Sequence, residues 1–212
     1  MNMFTKVKDR ISKTIQGLFS RKNSCIGIYG SPNAGKTTLG NRILSDCDID
    51  EEFGSTSHIA HETRRAKKHE SVNINTDNGS LKLDIVDTPG LATKIDFNDF
   101  MEEDMDEETA KSRAKEATEG VVEAVKWLDD LTGIVLVMDA TEDPYTQINV
   151  TVIGNIEARH IPMLIVANKC DRSDASPDKI KEAFPQHPIV SISALEGTNM
   201  DELYSEIARR FR

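Results

Sequence analysis

Apolar positions along the chain fall into two kinds of pattern, and the two alternate. Short runs such as Ile134-Val135-Leu136-Val137-Met138 and Met163-Leu164-Ile165-Val166-Ala167 are apolar at every position, as expected of parallel strands covered by helices on both faces. Between such runs, apolar residues return at helical spacing, as at Leu39, Ile43 and Leu44 and again at Met200, Leu203, Tyr204 and Ile207. The pattern predicts strands over 25–29, 71–76, 81–87, 133–139, 163–168 and 188–192. Strands alternating with helices predict an α/β fold, a doubly wound, mostly parallel six-stranded sheet with helices on both faces. In such sheets ligands sit beyond the carboxyl ends of the strands, so polar motifs should follow the strands directly.

The first run, Cys25-Ile26-Gly27-Ile28-Tyr29, leads into Gly30-x-x-x-x-Gly35-Lys36-Thr37 and then a helix. This is the spacing at which successive backbone N–H groups wrap phosphates at a helix start. Gly30 and Gly35 permit the turn and the close approach of backbone to ligand. Lys36 brings a point charge to the terminal phosphates, and the Thr37 hydroxyl is placed to bind Mg2+.

Later strands deliver further polar groups. Leu83-Asp84-Ile85-Val86 runs into Asp87-Thr88-Pro89-Gly90, which sets a carboxylate where it can orient Mg2+ through water and a glycine N–H within reach of a terminal phosphate. Read alone, that tetrapeptide could equally be a turn. Asn168-Lys169-Cys170-Asp171 follows the apolar run at 163–167. An aspartate accepts two parallel hydrogen bonds from a ring N–H and an exocyclic amine, a pair that guanine presents and adenine does not. Ser193-Ala194-Leu195 follows the last strand, where a backbone N–H, that of Ala194, could donate to a ring carbonyl oxygen.

With these residues in place the chain resembles the Era-like group of translation-factor-related, P-loop GTP-binding proteins. The resemblance rests on GSPNAGKTT (30–38), ETRR (62–65), DTPG (87–90), NKCD (168–171) and SAL (193–195), and it covers nearly everything from residue 24 onward. It implies GTP or GDP as ligand, held by Gly30, Ser31, Asn33, Ala34, Gly35, Lys36, Thr37, Thr38, Asp87 and Gly90 around the phosphates and by Asn168, Lys169, Asp171, Ser193, Ala194 and Leu195 around the base. The Lys169 stem is expected along the ring. Mg2+ falls to Thr37, Asp87 and Thr63, and the groups nearest the chemistry are Lys36, Asn33, Thr63 and Gly90.

The polar stretch DCDIDEEFGSTSHIAHETRRAKKHE has the composition of a first switch loop, which closes when a hydroxyl joins the Mg2+ shell. Thr63, aligned with the Thr-Arg pair of Era-like proteins, is the candidate hydroxyl and Thr56 its rival; Glu62 stands where the family has a first threonine. Arg64, Arg65, Lys67 and Lys68 read as a solvated strand face or as a partner-binding patch. Many GTPases orient water with a glutamine directly after the DxxG glycine; here that residue is Leu91, which cannot orient water, so hydrolysis is expected to be slow or to rely on another group. Asn33 resembles the asparagine of potassium-activated members, whose carbonyl oxygen helps hold a K+ beside the phosphates. It also suits a turn by itself, and the residues leave both readings open.

Composition narrows the partners. With 212 residues the chain can bury a core without metal or disulfide staples. A net charge of −10 argues against a general nucleic-acid binder, a local basic patch excepted. Cys25, Cys47 and Cys170 are odd in number and widely spaced, as expected in a reducing cytoplasm. No apolar run approaches the roughly 20 residues of a membrane span, and no secretory h-region opens the chain.

Residues 1–23 carry Phe4, Val7, Ile11, Ile15, Leu18 and Phe19 at helical spacing with lysines and arginines largely off that stripe. This predicts a basic amphipathic helix packed on the GTPase domain (24–212) or a partner, or lying peripherally on a membrane. An acidic, then helical, insert is expected over about 92–130, after the second switch. The chain closes on the helix of Met200, Leu203, Tyr204 and Ile207, so the RNA-binding domain that follows in bacterial Era is not expected. The reading is an Mg2+-dependent GTPase switch for a macromolecular effector, with a homodimer in view. Its rivals are a GTP-dependent binding module with negligible turnover and a kinase or ATPase, which Asp171 opposes.

Overall fold

The structure is a computed structural model that describes residues 24–53, 67–76, 79–88 and 127–211. Six strands form one sheet: β1 (Ser24–Gly30), β2 (Lys67–Thr76), β3 (Gly79–Asp87), β4 (Gly133–Asp139), β5 (Met163–Asn168) and β6 (Ile189–Ser191), in the order β2-β3-β1-β4-β5-β6. All neighbours are parallel except β2 and β3, which are antiparallel. Among the described residues the helices are α1 (Lys36–Asp46), α2 (Gln147–Ala158), α3 (Pro177–Ala183) and α4 (Met200–Arg210), and Leu128–Asp130 form a 3-10 turn. The expected P-loop α/β architecture is the observed one.

Strand periodicity sorts the core into two layers. Ile26 and Ile28 of β1, Val135 and Val137 of β4, and Leu164 and Val166 of β5 face one way, onto α1 (Leu39, Ile43, Leu44) and α4 (Leu203, Ile207). The alternate residues, among them Tyr29, Leu136, Met138 and Ile165, face Val152, Ile153 and Ile156 of α2 and Ile180 of α3. Both faces are therefore covered, which is why β4 and β5 are buried at every position. Leu128 and Leu131 join the second layer, so the last residues of the expected 92–130 insert and the residue beyond them pack on the sheet.

The strand limits differ from the sequence expectation mainly at β2, expected from 71 and observed from Lys67. Its first residues, Lys67-Lys68-His69-Glu70, carry no apolar alternation because β2 is an edge strand paired only with β3. A bulge lies between His69 and Val72, with Ser71 at φ 64 and its N–H donating to Asp84 Oδ1 at 2.9 Å. Lys68 meets the same carboxylate at 3.0 Å, and Lys67 and Lys68 are solvated, in keeping with the strand-face reading. Residues 1–23, most of the 92–130 insert, and Thr56, Thr63, Arg64, Arg65, Gly90 and Leu91 lie outside the described residues.

Candidate functional site

The carboxyl ends of β1, β3, β4 and β5 lie side by side in the sheet, and each carries a polar residue or the loop itself. At the end of β1 the chain turns at Gly30 (φ 149), where a Cβ would lie 2.2 Å from the Val137 carbonyl oxygen of β4. The loop Ser31–Gly35 then enters α1 with Gly35 at φ 94. Asn33 takes φ 59 and is exposed, so the left-handed backbone that asparagine tolerates is in use at this position. Ser31 and Ala34 are buried, whereas Thr37 and Thr38 at the start of α1 are half-buried.

Lys36 is buried in this loop, and its ammonium donates to the Ser31 carbonyl at 2.8 Å. Burial pushes it down to about 8, against the pull of Asp87. Asp87, at the end of β3, is fully buried. Burial lifts it to about 6, opposed by a hydrogen bond from the Thr37 hydroxyl and by the charges of Lys36 and Lys67. That hydroxyl donates to Asp87 Oδ2 at 2.8 Å, while Oδ1 is buried with no hydrogen-bond partner among the described residues. A buried carboxylate oxygen left open beside a threonine hydroxyl is a hard-oxygen donor set, and it fits Mg2+. Thr88 closes the strand end, its hydroxyl donating to the Ile28 carbonyl at 2.7 Å.

The second half of the site is built by β5 and the loop after β6. Asn168, 3% exposed, donates from Nδ2 to the Ala34 carbonyl at 2.9 Å and accepts the Ala194 N–H on Oδ1 at 3.0 Å. One side chain thus ties the phosphate loop to the Ser193–Leu195 turn. The expectation for Ala194 is modified accordingly: its N–H, read as a donor to a ring carbonyl, is engaged by Asn168. Asp171 is exposed, and one of its carboxylate oxygens accepts the buried Ser193 hydroxyl at 2.6 Å. The same Ser193 oxygen accepts the Glu196 N–H at 3.1 Å. Leu195 stands 70% exposed beside this turn, an apolar surface open to a flat ring.

Lys169 takes φ 66 and sets its ammonium 2.6 Å from Asp139 Oδ2. Asp139 was not among the residues singled out from sequence, although its place at the end of an apolar strand, like that of Asp87, is a signal that could have found it. Cys170 lies between Lys169 and Asp171, with its thiol donating to the Ala167 carbonyl at 3.3 Å. Hydrogen bonds thus join Lys36 to Ser31, Thr37 to Asp87, Asn168 to Ala34 and Ala194, and Ser193 to Asp171, while Thr63 and Gly90 lie outside the described residues.

Comparison with known proteins agrees with this geometry. Residues 25–169 match the family described as 50S ribosome-binding GTPase. GTPase Era of Ectopseudomonas mendocina is 30% identical over 193 residues, covering 87% of this chain and 54% of that protein. Translation initiation factor IF-2 of Dinoroseobacter shibae is 27% identical, covering 86% of this chain and 19% of the factor. The chain thus spans about half the length of its Era relative and about a fifth of the initiation factor. A crystal structure of an Aquifex aeolicus Era variant bound to GDP and AlF4− superposes with a TM-score of 0.67 at 27% identity, covering 90% of this chain and 57% of that one. A second, of Era with MgGDPNP and nucleotides 1506–1542 of 16S ribosomal RNA, gives 0.67 at 26% identity with the same coverage. A phosphate loop, a guanine-type NKxD motif and this match lead to one conclusion: the chain belongs to the 50S ribosome-binding GTPase family.

Proposed function

We propose that the protein binds GTP with Mg2+, hydrolyses it to GDP and phosphate, and acts as a nucleotide-dependent switch for a macromolecular partner. The observation that carries this reading is the pair of groups in the phosphate half, a buried Lys36 and a buried Asp87 with one oxygen that has no hydrogen-bond partner among the described residues. A terminal phosphate and a cation complete both. In the reaction water attacks the γ phosphorus, the bond to the β-phosphate oxygen breaks, and GDP leaves. Catalysis is placement and electrostatics. Lys36 and the N–H groups of the loop neutralise charge on the phosphates, while Asp171 and Lys169 orient the base. Thr37 and Asp87 would hold Mg2+, which would supply positive charge at the phosphate oxygens; Thr63 and the Gly90 N–H are assigned to the GTP-bound switch loops by resemblance.

Leu91 in the position of the water-orienting glutamine favours a second reading, a GTP-ordered docking module with negligible turnover. Asn33 opposes it if a K+ beside the phosphates takes over charge stabilisation, as in the potassium-activated members that Asn33 resembles. Phosphate release from GTP in KCl and in NaCl, with Lys36→Ala as the blank, separates them. Release at least severalfold faster in K+ supports the enzyme with Asn33 as a cation ligand. Release no faster than the blank in both salts, with GTP still bound, selects the docking module. The ribosomal RNA in the Era complex belongs to that relative; here the partner is proposed only as a macromolecule that reads the switch loops, a second copy of the chain included. Among the described residues no helix is long and apolar enough to cross a membrane; peripheral membrane contact is proposed only through the basic amphipathic stretch 1–23.

A further inference from the structure

We propose that Asp139 is a positioning residue for the base: it pins the Lys169 ammonium so that the lysine stem is laid out as a platform before the nucleotide arrives. This rests on the guanine-nucleotide reading of the site. Lysine is a flexible four-carbon stem ending in a strongly hydrated charge, and as a flat contact surface it must first lose its rotamer freedom. Here both ends of the stem are fixed. The backbone end sits at φ 66, a conformation a non-glycine residue keeps only when its surroundings hold it there. The ammonium end lies 2.6 Å from Asp139 Oδ2, with the lysine side chain 31% exposed and the aspartate 6%.

Asp139 is itself immobilised. Its Oδ1 accepts the Thr141 N–H at 2.9 Å and the Thr141 hydroxyl at 2.7 Å, which leaves Oδ2 as the arm that holds the lysine. In the sheet Asp139 lies opposite Asn168, the residue before Lys169, and the next N–H, that of Ala140, donates to the Asn168 carbonyl at 2.9 Å. The carboxylate therefore moves with the strand that carries the base motif. Burial pushes Asp139 up, but the hydrogen bonds from Lys169 and Thr141 and the lysine charge outweigh it and hold the carboxylate below its ordinary range. A stem ordered in advance costs less to use when the ligand binds. The aspartate of the motif, Asp171, is assigned to the edge of the ring, whereas this pair prepares its face.

The test is titration of fluorescent GDP into the full chain, with GTP and IDP as competitors, for wild type, Asp139→Asn, Lys169→Met and the double variant. Asp139→Asn is expected to weaken GDP about tenfold. The same factor is expected for GTP and for IDP, because the three share the ring face that the stem meets. In the Lys169→Met background the aspartate substitution should then add less than about twofold, since its only route to the base is gone. Full additivity of the two losses, a factor that differs between GDP and IDP, or GDP binding by Asp139→Asn within about twofold of wild type would overturn the proposal. Should Asp139→Asn fail to fold, Thr141→Val removes one of the bonds holding Oδ1 and is expected to weaken GDP about threefold. Wild type that binds no guanine nucleotide would overturn the functional reading and this inference together; wild type that binds while its variants are indistinguishable from it overturns the inference alone.

Discussion

The two halves of the nucleotide site are finished to different degrees. In the base half, polar groups satisfy one another: Asn168 uses both ends of its amide, Asp171 holds Ser193, and Lys169 is paired with Asp139. In the phosphate half the reverse holds. Lys36 is a buried cation whose ammonium donates to the Ser31 carbonyl, and Asp87 is a buried carboxylate with one oxygen unpartnered among the described residues. Buried charge without a matching partner is costly. The base half is thus a preformed template that selects, and the phosphate half is an electrostatic deficit that the ligand repairs. Affinity should come mainly from the second and identity from the first.

Gly35 is where the halves touch, so substitution there is expected to have the largest effect. A Cβ at this residue would lie 2.2 Å from Asn168 Nδ2, at a φ of 94 that side chains avoid. Gly35→Ala should displace Asn168 from the Ala34 carbonyl while straining the loop. Expected is a loss of GDP affinity of about 100-fold or more, together with a lowered preference for GDP over IDP as the Asn168–Ala194 link loosens. Both are read in one competition titration. A loss of affinity with the base preference intact would show that the halves are independent, and the strut role of Asn168 would fall.

A smaller effect should appear in pH dependence. In the nucleotide- and metal-free protein the folded Asp87 titrates at about 6, above its ordinary 3.8. Its contribution to stability is full below about 4 and is lost as pH rises through about 6. Lys36 is shifted the other way, to about 8 from 10.5, so its contribution is present above about 10.5 and is lost as pH falls through about 8. Between about 6 and 8 both groups are buried and charged. There the site needs its ligand most. Thermal stabilisation by Mg2+ and GDP should therefore be larger at pH 7 than at pH 5, where Asp87 must first lose a proton. Asp87→Asn should raise the melting temperature of the ligand-free protein at pH 7 by about 2–4 °C, the amount that removing a penalty on the order of 1 kcal/mol implies. A lower melting temperature would refute the deficit.

The same contrast explains what could be read from sequence. The both-face apolar runs at 133–139 and 163–168 gave their strands to the residue, because burial on two faces leaves no ambiguous position. The polar opening of β2 was missed, since an edge strand is held there by backbone pairing and by the Lys68–Asp84 and Ser71–Asp84 contacts. Phosphate-loop chemistry was legible because Gly30, Gly35, Lys36 and Thr37 act in one short local motif. The place of Asp139 at a strand end is a legible signal, but its pairing with Lys169, 30 residues away, is not. Ala194 shows the remaining limit: sequence places an N–H at a strand end, but only the fold reveals that Asn168 takes it.

The smallest effect belongs to Cys170, which stands between two base-site residues yet should contribute almost nothing. Its thiol donates to the Ala167 carbonyl, and burial pushes its pKa up, partly offset by its backbone link to Ile192. A thiol kept protonated is a poor nucleophile, because the thiolate is the reactive form. Alkylation of Cys170 at pH 7.5, followed by peptide mass spectrometry, should accordingly run slower than that of free cysteine. Cys170→Ala should change GDP affinity by less than about twofold. The template picture demands this, for if its rigidity comes from Asn168, Asp171 and the Lys169–Asp139 pair, a thiol that bonds inward to Ala167 can be trimmed without loosening it. A larger loss would mean that the backbone of the motif, and not its side-chain bonds, is what holds the base half ready.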